Sequence, residues 1–356
     1  MEIEEKMRLA LKPPTEEVVT EQDLRALFEK EPHPRHYIGL EVSGTLNLGS
    51  LVINGFKVND FIKAGMRCTV FLADWHSYIN NKWSGDWAKI KRVGRDYYAE
   101  AFRFFCPGVE IRYGSELYQG NDRYWEDMVR FSKQISLERD VRCLTIMGRS
   151  TKEKLDVAQY LYPPMQATDM HAMELDVVHA GMDQRKVHML AREVFPFLGW
   201  KKPVAIHHHI LAGLQEPQEL GLDENPTVDR TVSSKMSKSR PDTAIFIHDS
   251  PAEISRKIGK AWCPEKWVEG NPILDFANYI VFHERSSLTI ERPAKFGGDV
   301  TYASYEDLAK DYAAGKVHPS DLKKSIAAEL SAILEPIRKH FEGKEIIRDI
   351  LSDSRV

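Results

Sequence analysis

The sequence predicts an α/β protein in which a parallel β-sheet is covered by helices on both faces and is followed by a helical region. Three segments carry this prediction: a buried apolar strand at 37–40, a helix at 51–64 and a second apolar strand at 68–73. A strand, a helix of about a dozen residues and another strand form a βαβ unit, which makes the two strands parallel. From residue 250 onward the pattern changes to helices joined by short loops.

The other elements follow from apolar periodicity and from the residues that end each segment. Residues 1–30 are predicted to form an amphipathic helical lead-in, because Leu24, Leu27 and Phe28 recur at helical spacing. Gly65 suits the end of the helix in the βαβ unit. Further helices are predicted at 86–105, 122–148 and 321–340, and further strands at 110–113, 177–178 and 204–206.

A polar segment at 215–240 separates the alternating part of the chain from the helical part. We place the domain boundary near residue 245 for this reason. The predicted organisation is a lead-in at 1–30, an α/β domain at 31–245 and a helical domain at 246–356.

Length and composition exclude several classes of protein. The chain has 356 residues, of which 42% are hydrophobic, so it is too rich in apolar side chains for a disordered protein. Its 49 Lys and Arg against 53 Asp and Glu give a net charge of −4, which argues against a protein that coats nucleic acid through bulk positive charge. A local basic track remains compatible with this total.

Cysteine usage and hydropathy predict the compartment. The four cysteines are widely spaced and form no CxxC pair, so they favour a reducing cytoplasm over a disulfide framework or a zinc site. The N-terminus has no apolar leader, and no stretch approaches the ~20 apolar residues that span a bilayer. We expect a soluble cytoplasmic protein without a membrane partner.

Polar residues that follow a predicted strand are the first site candidates. Asp74 and His76 come directly after the second strand of the βαβ unit, where open α/β sheets bind ligands. The run 207–209 consists of three histidines, but neighbouring residues of a strand point to opposite faces, so they are poor ligands for one ion. We expect them to line a nucleotide cleft, and we assign no metal to the protein.

The most specific motif is the loop at 233–239, with the sequence SSKMSKS. Its small residues let the backbone approach an anion, and the ammonium groups of Lys235 and Lys238 can neutralise charge that develops on a leaving pyrophosphate. A solvated serine–lysine linker is the alternative for such a cluster. The complete string KMSKS resembles the signature loop of class I aminoacyl-tRNA synthetases.

That family carries a HIGH-like tetrapeptide at the opening of the first helix, and the segment NLGS at 47–50 stands in this place. Both histidines of the family pattern are replaced. Asn47 and Ser50 can still donate neutral hydrogen bonds to a phosphate oxygen from a helix N-terminus, although neither is a protonatable imidazole. A simple helix cap with a tight turn is the alternative.

Five further segments resemble, in order, motifs of the tyrosyl-tRNA synthetases of the archaeal and eukaryotic type, and they span nearly the whole chain. They lie at 37–44, 72–76, 162–169, 181–186 and 296–299. The resemblance implies a Rossmann-like parallel-sheet catalytic domain with a connective helical insertion at about 115–160, and a C-terminal all-α anticodon-binding domain. It also implies ATP as a substrate with Mg²⁺, no prosthetic group, and L-tyrosine and tRNA(Tyr) as partners.

The resemblance assigns site residues position by position. It implies tyrosine binding by Tyr37, Asp74, Tyr162, Gln166, Asp169 and Gln184. It implies ATP binding by Asn47, Gly49, Ser50, Asp183, Lys235, Met236, Ser237, Lys238 and Ser239, of which Asn47, Ser50, Lys235 and Lys238 are the candidate catalytic residues. It implies tRNA contacts by Arg142, Arg185, Lys186, Phe296, His318 and Asp321.

Elementary chemistry agrees with the tyrosine assignment. A carboxylate at the end of an apolar pocket must be paired, and a phenolic hydroxyl can donate to Asp169 while it accepts from Tyr37. Taken alone, Tyr37 could be an ordinary aromatic residue of a strand and Asp169 an ordinary charge on a helix surface. These alternatives are weak when the two residues are considered together. Arg142, Arg185 and Lys186 read almost as well as plain surface charges, and Asp321 as a favourable charge at a helix start.

Two other functions stay open at this point. A tryptophanyl-tRNA synthetase shares the fold and the signature loops, although the Tyr37 and Asp169 pair suits a phenol better than an indole. A catalytically silent tRNA-binding paralogue would account for the loss of both signature histidines, but not for the retained KMSKS string.

The connective segment 122–148 forms a homodimer interface in relatives, so we expect a homodimer. The apolar residues that suggest this face could instead be internal core. They are Met128, Phe131, Ile135, Leu144 and Ile146.

Overall fold

The computed structural model describes residues 1–148, 154–221, 226–238 and 240–353. Ser239, a predicted ATP-binding residue, lies outside the described residues. The described residues group into two compact units. The first comprises Met1–Gly44, Asn54–His209 and Gly221–Val232, and the second comprises Thr45–Ile53, Ile210–Leu220 and Ser233–Val356.

The β-strands belong to two sheets within the described residues. They are β1 (Thr15–Val19), β2 (Arg35–Leu40), β3 (Arg67–Leu72), β4 (Glu110–Tyr113), β5 (Val177–Gly181), β6 (Val204–His208), β7 (Leu288–Ile290) and β8 (Val300–Tyr302). The larger sheet has the order β1, β6, β5, β2, β3, β4, and its strands β2 to β6 are all parallel. The predicted α/β class with a parallel sheet is therefore confirmed.

The α-helices alternate with these strands in the first unit and dominate the second. They are α1 (Ile3–Leu11), α2 (Glu21–Lys30), α3 (Asn54–Lys63), α4 (Asp74–Ile79), α5 (Trp87–Val93), α6 (Ala99–Phe105), α7 (Gly114–Tyr118), α8 (Asp122–Ser132), α9 (Leu137–Cys143), α10 (Tyr162–Ala172), α11 (Arg185–Val194), α12 (Pro226–Ser234), α13 (Pro251–Lys260), α14 (Pro272–Phe276), α15 (Phe282–Glu284), α16 (Tyr305–Ala313), α17 (Pro319–His340) and α18 (Glu345–Asp353). Short π-helical segments occupy Leu48–Ile53, Gly94–Tyr98 and Ala277–Val281. Within the described residues, none of the helices combines the length and apolar character that crossing a bilayer requires.

The prediction of a purely helical lead-in was wrong. Between α1 and α2 the chain forms strand β1, which pairs antiparallel with β6 at the edge of the sheet. Val18 and Val19 are β-branched and favour a strand, and pairing with β6 satisfies their backbone groups. Residues 1–30 are thus part of the first unit.

Two predicted long helices are interrupted. The stretch 86–105 contains a π-helical turn between α5 and α6. The stretch 122–148 is split because Ser136 starts a new helix, its side chain accepting a hydrogen bond from the backbone N–H of Arg139 at 3.3 Å. Apolar periodicity continued through both breaks and hid them.

In the first unit, a buried ammonium group connects helix α3 to the end of helix α1. Lys57 of α3 is fully buried and donates hydrogen bonds to the carbonyl oxygens of Leu9 at 3.0 Å and Lys12 at 2.9 Å, at the end of α1. It also pairs with Asp60 at 3.2 Å. Carbonyls at a helix C-terminus lack partners within the helix, so Lys57 caps α1.

The second unit contains α13 to α18, as the predicted helical domain requires, and one feature beyond the all-α expectation. Strands β7 and β8 form a two-stranded antiparallel sheet, with Leu288 and Ile290 buried on one face. The unit also includes 45–53 and 210–220, so contacts group the chain differently from a single cut near residue 245. That boundary stays a prediction about functional domains.

Candidate active site

The carboxyl ends of the parallel strands place polar side chains at one edge of the sheet in the first unit. Glu41 follows β2, Asp74 follows β3, Ser115 follows β4 and Asp183 follows β5. This edge is where open parallel sheets bind ligands. Helix α10 adds Tyr162, Gln166 and Asp169, whose spacing of four and three residues puts them on one helix face.

Tyr37 and Asp169 are both buried in the first unit, with 2% and 1% exposure. Burial raises the pKa of Asp169 to about 8, and hydrogen bonding by Tyr124 opposes that rise. Burial, with the nearby Asp169 charge, also raises the pKa of Tyr37, so its phenol stays protonated. A carboxyl group and a hydroxyl are together the groups that could pair with one ligand hydroxyl.

His76 lies next to this carboxyl group. Its Nε2 is 3.8 Å from Asp169 Oδ2, which is too long for a direct hydrogen bond, and its ring packs edge-on against Tyr162. Burial lowers the pKa of His76 to about 4, so the ring is neutral at pH 7. His76 thus lies just after strand β3, at the edge of the sheet where the sequence placed it.

Three polar groups form a relay that fixes the orientation of two amides. Gln184 Nε2 donates to the carbonyl oxygen of Ile146 at 2.9 Å, and Gln166 Nε2 donates to Gln184 Oε1 at 3.2 Å. The relay leaves Gln166 Oε1 as a buried acceptor without a partner among the described residues. A buried acceptor needs a donor, which a substrate ammonium group can supply.

Glu41 is a site residue that sequence reasoning did not identify. The Tyr162 hydroxyl donates to Glu41 Oε1 at 3.0 Å, and Asn80 Nδ2 donates to the same oxygen at 2.7 Å. Lys82 pairs with the other carboxylate oxygen at 3.1 Å. These contacts hold Tyr162, whose pKa is raised by burial. The only available signal was the place of Glu41 at the end of a predicted strand.

Asp74 uses both carboxylate oxygens within the protein. Oδ1 accepts from the backbone N–H of Ser115 at 2.8 Å, and Oδ2 accepts from the Ser115 hydroxyl at 2.5 Å. A Cβ atom added to Gly114 would lie 2.9 Å from Oδ1, so glycine is needed for this close approach. Asp74 therefore joins α4 to α7, and its predicted supporting role toward the substrate amino group stays a prediction.

In the second unit, Asn47 and Ser50 hydrogen-bond to each other. The Ser50 N–H donates to Asn47 Oδ1 at 2.8 Å, and the Asn47 N–H donates to Ser50 Oγ at 2.8 Å. This reciprocal pair has the form of a capping box and opens the segment Leu48–Ile53. These hydrogen bonds are therefore those of a helix cap, the alternative to a phosphate-binding motif. The Asn47 Nδ2 group is the donor that could still bind a phosphate oxygen.

The segment 47–50 and the lysine loop are connected within the second unit. Asn47 forms a bridge with Phe246, and the Leu48 N–H donates to the Ile245 carbonyl oxygen at 3.0 Å. Residues 245–247 follow the lysine loop closely, so one short buried segment links the two motifs.

The lysine loop itself is held at several points in the second unit. Lys235 bridges to Ala212, and the Gly213 N–H donates to the Ser234 carbonyl oxygen at 2.7 Å. Met236 is buried, which anchors the middle of the loop, while Lys235 and Lys238 are half-buried. A Cβ atom at Gly213 would lie 3.0 Å from the Ser234 carbonyl oxygen. The loop is therefore anchored by its backbone. Ser237 of this loop is half-buried. Gly49 lies in the other motif, between Asn47 and Ser50.

The remaining predicted contacts are distributed over both units. In the first unit Asp183 is half-buried directly after β5, Arg185 pairs with Glu17 at 2.8 Å, and Lys186 donates to Thr145 Oγ1 at 3.4 Å. Arg142 is exposed and pairs with Glu138 at 3.5 Å. Their roles toward ribose and tRNA stay predictions.

In the second unit, His318 is the N-cap of α17. Its Nδ1 accepts from the Ser320 N–H at 3.2 Å, so the cap is His318 rather than Asp321, which lies in the first turn. Phe296 ends a short helical turn at Ala294–Phe296. The predicted anticodon contacts of all three residues stay predictions.

The three consecutive histidines have separate partners. His207 Nδ1 lies 2.7 Å from Glu17, and His208 Nδ1 lies 2.8 Å from His179 Nε2. Their alternation along β6 is the one expected of a strand. Across the described ranges, no group of three or more His, Cys, Asp or Glu side chains converges as a metal site requires.

Comparisons with known proteins identify the family of the chain. The family model for tRNA synthetases class I (W and Y) matches residues 29–335. The tyrosine–tRNA ligase of Pyrococcus furiosus is 46% identical over 96% of this chain and 96% of its own length. That of Pyrobaculum calidifontis is 41% identical over 96% of both chains.

Solved structures give the same result. The tyrosyl-tRNA synthetase of Pyrococcus horikoshii in complex with L-tyrosine superposes with a TM-score of 0.91, at 44% identity over 100% of both chains. The tryptophanyl-tRNA synthetase of Plasmodium falciparum shares the fold alone, with a TM-score of 0.67 at 14% identity over 96% of this chain and 87% of its own. The chain therefore belongs to the class I tRNA synthetases of the tryptophan and tyrosine family.

Proposed function

We propose that this synthetase is a tyrosine–tRNA ligase, which activates L-tyrosine with ATP and transfers the tyrosyl group to the 3′ end of tRNA(Tyr). The observation that carries the proposal is the buried Tyr37 and Asp169 pair, which matches a phenolic hydroxyl. Relatives that match nearly the full chain are tyrosine–tRNA ligases, and the Pyrococcus horikoshii structure holds L-tyrosine.

The pocket selects tyrosine through the cost of unpaired polar groups. Ionised Asp169 accepts a hydrogen bond from the phenol, and Tyr37 donates to the phenol oxygen. Phenylalanine would leave Asp169 Oδ2 and the Tyr37 hydroxyl without this ligand hydroxyl, and an unsatisfied buried polar group costs about 1–3 kcal/mol, more if it is charged. An indole has no hydroxyl for this pair, which disfavours the tryptophan alternative.

The substrate amino group is held by the other end of the pocket. Gln166 Oε1 is the available acceptor, and the relay through Gln184 keeps its amide from turning. Tyr162, fixed by Glu41, lies on the same face of α10. Convergent acceptors of this kind hold an ammonium group and orient the carboxylate for attack on the ATP α-phosphate.

In the second unit, the segment 47–50 and the lysine loop are proposed to bind the phosphates of ATP. Asn47 Nδ2 would donate to a phosphate oxygen at the start of a helical segment, and Lys235 and Lys238 would stabilise the charge on pyrophosphate as it leaves. Asp183 accepts hydrogen bonds only, which suits ribose hydroxyls. Mg²⁺ enters with ATP as part of the substrate complex, since this ion is commonly held by phosphates and water with few protein ligands.

A homodimer is also proposed, with a correction to the residues that suggested it. Phe131, Leu144 and Ile146 are buried within the chain and belong to its core. Other apolar residues of segment 122–148 are exposed and form the proposed contact. They are Trp125, Val129 and Leu137, at 42%, 54% and 69% exposure.

The compartment proposed is the cytoplasm. All four cysteines are free and buried. Free thiols are typical of proteins from a reducing compartment.

The experiment that tests the function is ATP–pyrophosphate exchange with Mg²⁺ and each of tyrosine, tryptophan and phenylalanine. The proposal predicts exchange with tyrosine and background rates with the other two amino acids. Exchange with tryptophan would favour the tryptophanyl alternative. Absence of exchange with retained tRNA binding would favour the silent paralogue.

A further inference from the structure

Tyr124 of α8 reaches the tyrosine pocket although no sequence motif identified it. Its side chain is 1% exposed, and its hydroxyl lies 2.8 Å from Asp169 Oδ1, to which it donates. The carbonyl oxygen of Met165 is farther away, at 3.2 Å, so the carboxyl group is the better acceptor. The Tyr124 ring packs against Tyr118 with centroids 4.6 Å apart, which limits its movement.

This contact gives the two oxygens of Asp169 different surroundings. Oδ1 accepts from Tyr124, whereas Oδ2 faces neutral His76 at 3.8 Å. Oδ2 therefore remains the oxygen that can accept a short hydrogen bond from a ligand. A hydrogen bond to an ionised carboxylate is stronger than a neutral one and favours the charged form.

We propose that Tyr124 is a positioning residue for amino-acid selection, which favours the ionised form of the Asp169 carboxylate and orients it so that Oδ2 accepts a hydrogen bond from the phenol of tyrosine. This inference rests on the proposed function, since it concerns the selection of tyrosine. It places part of the specificity on α8, outside the motifs of the family, and on a residue that acts through Asp169 rather than on the substrate.

The proposal has a pH signature. The titratable groups that face Asp169 are Tyr124 of α8, Tyr118 of α7, His76 and Asp74 of α4, and Tyr37 of β2. Among them, Tyr124 makes the short hydrogen bond to the carboxylate. Removal of its hydroxyl makes ionisation of Asp169 harder, so tyrosine use should fall most at low pH and recover as the pH rises.

The test measures ATP–pyrophosphate exchange by Tyr124→Phe in the full-length enzyme, with rates referred to titrated active sites. We expect kcat/KM for tyrosine to fall about tenfold to a hundredfold at pH 7, the size of one lost charge-assisted hydrogen bond. The loss should be larger at pH 6.5 than at pH 9, KM for ATP should stay unchanged, and the preference for tyrosine over phenylalanine should shrink.

Two further variants separate positioning from structure. Tyr312→Phe removes a buried hydroxyl that donates to the Pro264 carbonyl oxygen at 2.8 Å in the second unit, and it should leave tyrosine selection unchanged. In an Asp169→Asn background the Tyr124→Phe change should cost little more, because its target carboxylate is gone.

The proposal would be overturned if Tyr124→Phe lowered kcat/KM equally for tyrosine and phenylalanine, or if the loss did not depend on pH. Additive effects of the two substitutions in the double variant would also overturn it. The wild-type enzyme tests the proposed function separately. Absence of tyrosine-dependent exchange in the wild type would refute that function. Wild-type exchange with an unchanged Tyr124→Phe rate would refute only the role of Tyr124.

Discussion

At the scale of single residues, the chemistry of the pocket depends on how Asp169 is solvated. The carboxyl group is buried beside an apolar core, which raises its pKa to about 8, and the Tyr124 hydroxyl partly replaces water as its donor. A ligand hydroxyl at Oδ2 would complete that replacement. The free pocket therefore holds a group that is more easily ionised once tyrosine has bound.

Asp169 should also make the stability of the free protein depend on pH. Its pKa is higher in the folded state than the ~3.9 of an unfolded chain, so its contribution is fully present below that value and is lost as the pH rises toward 8. We expect the urea midpoint of the wild type to fall more between pH 5 and pH 8 than that of Asp169→Asn. Equal changes for both proteins would show that Asp169 has no raised pKa.

Sequence reasoning reached some residues of the pocket and not others, for physical reasons. Tyr162, Gln166 and Asp169 share one helix face, so their grouping could be inferred from spacing. Glu41 and Tyr124 act through contacts with residues 121 and 45 positions away, and such contacts leave no local pattern. The three-dimensional arrangement was needed to find them.

At the scale of elements, the opening of the segment Leu48–Ile53 combines a structural and a chemical role in one side chain. Asn47 Oδ1 caps the turn through the Ser50 N–H, while Nδ2 is the proposed phosphate donor. The two atoms of one amide can be tested separately, because aspartate keeps the acceptor and removes the donor.

We expect Asn47→Asp to retain the stability of the wild type within about 0.5 kcal/mol, while Asn47→Ala loses about 1 kcal/mol with the cap. Both variants should lower kcat for pyrophosphate exchange, since each lacks Nδ2. Denaturant unfolding and exchange rates measure the two effects. If Asn47→Asp exchanges at the wild-type rate, Asn47 is a cap and no more.

Helix α3 provides a second test at this scale. Lys57→Met leaves the Asp60 carboxylate buried and the end of α1 uncapped, so we expect the free energy of unfolding to fall by about 3 kcal/mol. Lys63→Met lies on the same helix but is exposed, and it should change the free energy by less than about 0.5 kcal/mol. Urea unfolding compares them, and similar values for both would contradict the role of Lys57.

Helices and strands could be predicted from the sequence where a local apolar pattern marks them. Strands β2, β3, β5 and β6 contain short apolar runs, and the structure places them and β4 within a few residues of the predicted bounds. Strand β1 was missed because its residues Thr15, Glu16 and Glu17 are polar and its pairing with β6 joins distant parts of the chain. The breaks within 86–105 and 122–148 were missed because the apolar spacing survives them.

At the scale of the whole molecule, a net charge of −4 is compatible with a tRNA partner. The positive charge proposed to contact tRNA and ATP is local, at residues such as Lys186, Lys235 and Lys238. Selectivity then comes from shaped contacts to single-stranded ends and loops of RNA. Non-specific binding to other nucleic acids should accordingly be modest.

The proposed homodimer can be tested on the whole molecule by light scattering. We expect the wild type to have about twice the mass of one chain at micromolar concentration. Val129→Glu with Leu137→Glu should shift it to the monomer by placing charges in the contact. Phe197→Glu changes a residue that is 78% exposed outside segment 122–148 and should leave the dimer intact. A monomeric wild type would contradict the proposed interface.

We propose that the buried Tyr37 and Asp169 pair makes this class I synthetase specific for tyrosine. ATP–pyrophosphate exchange with tyrosine, tryptophan and phenylalanine tests it most directly. The account predicts Mg²⁺-dependent exchange with tyrosine and background rates with the other two. Exchange with tryptophan or phenylalanine at a rate comparable to that with tyrosine, or no exchange with tyrosine, would contradict it.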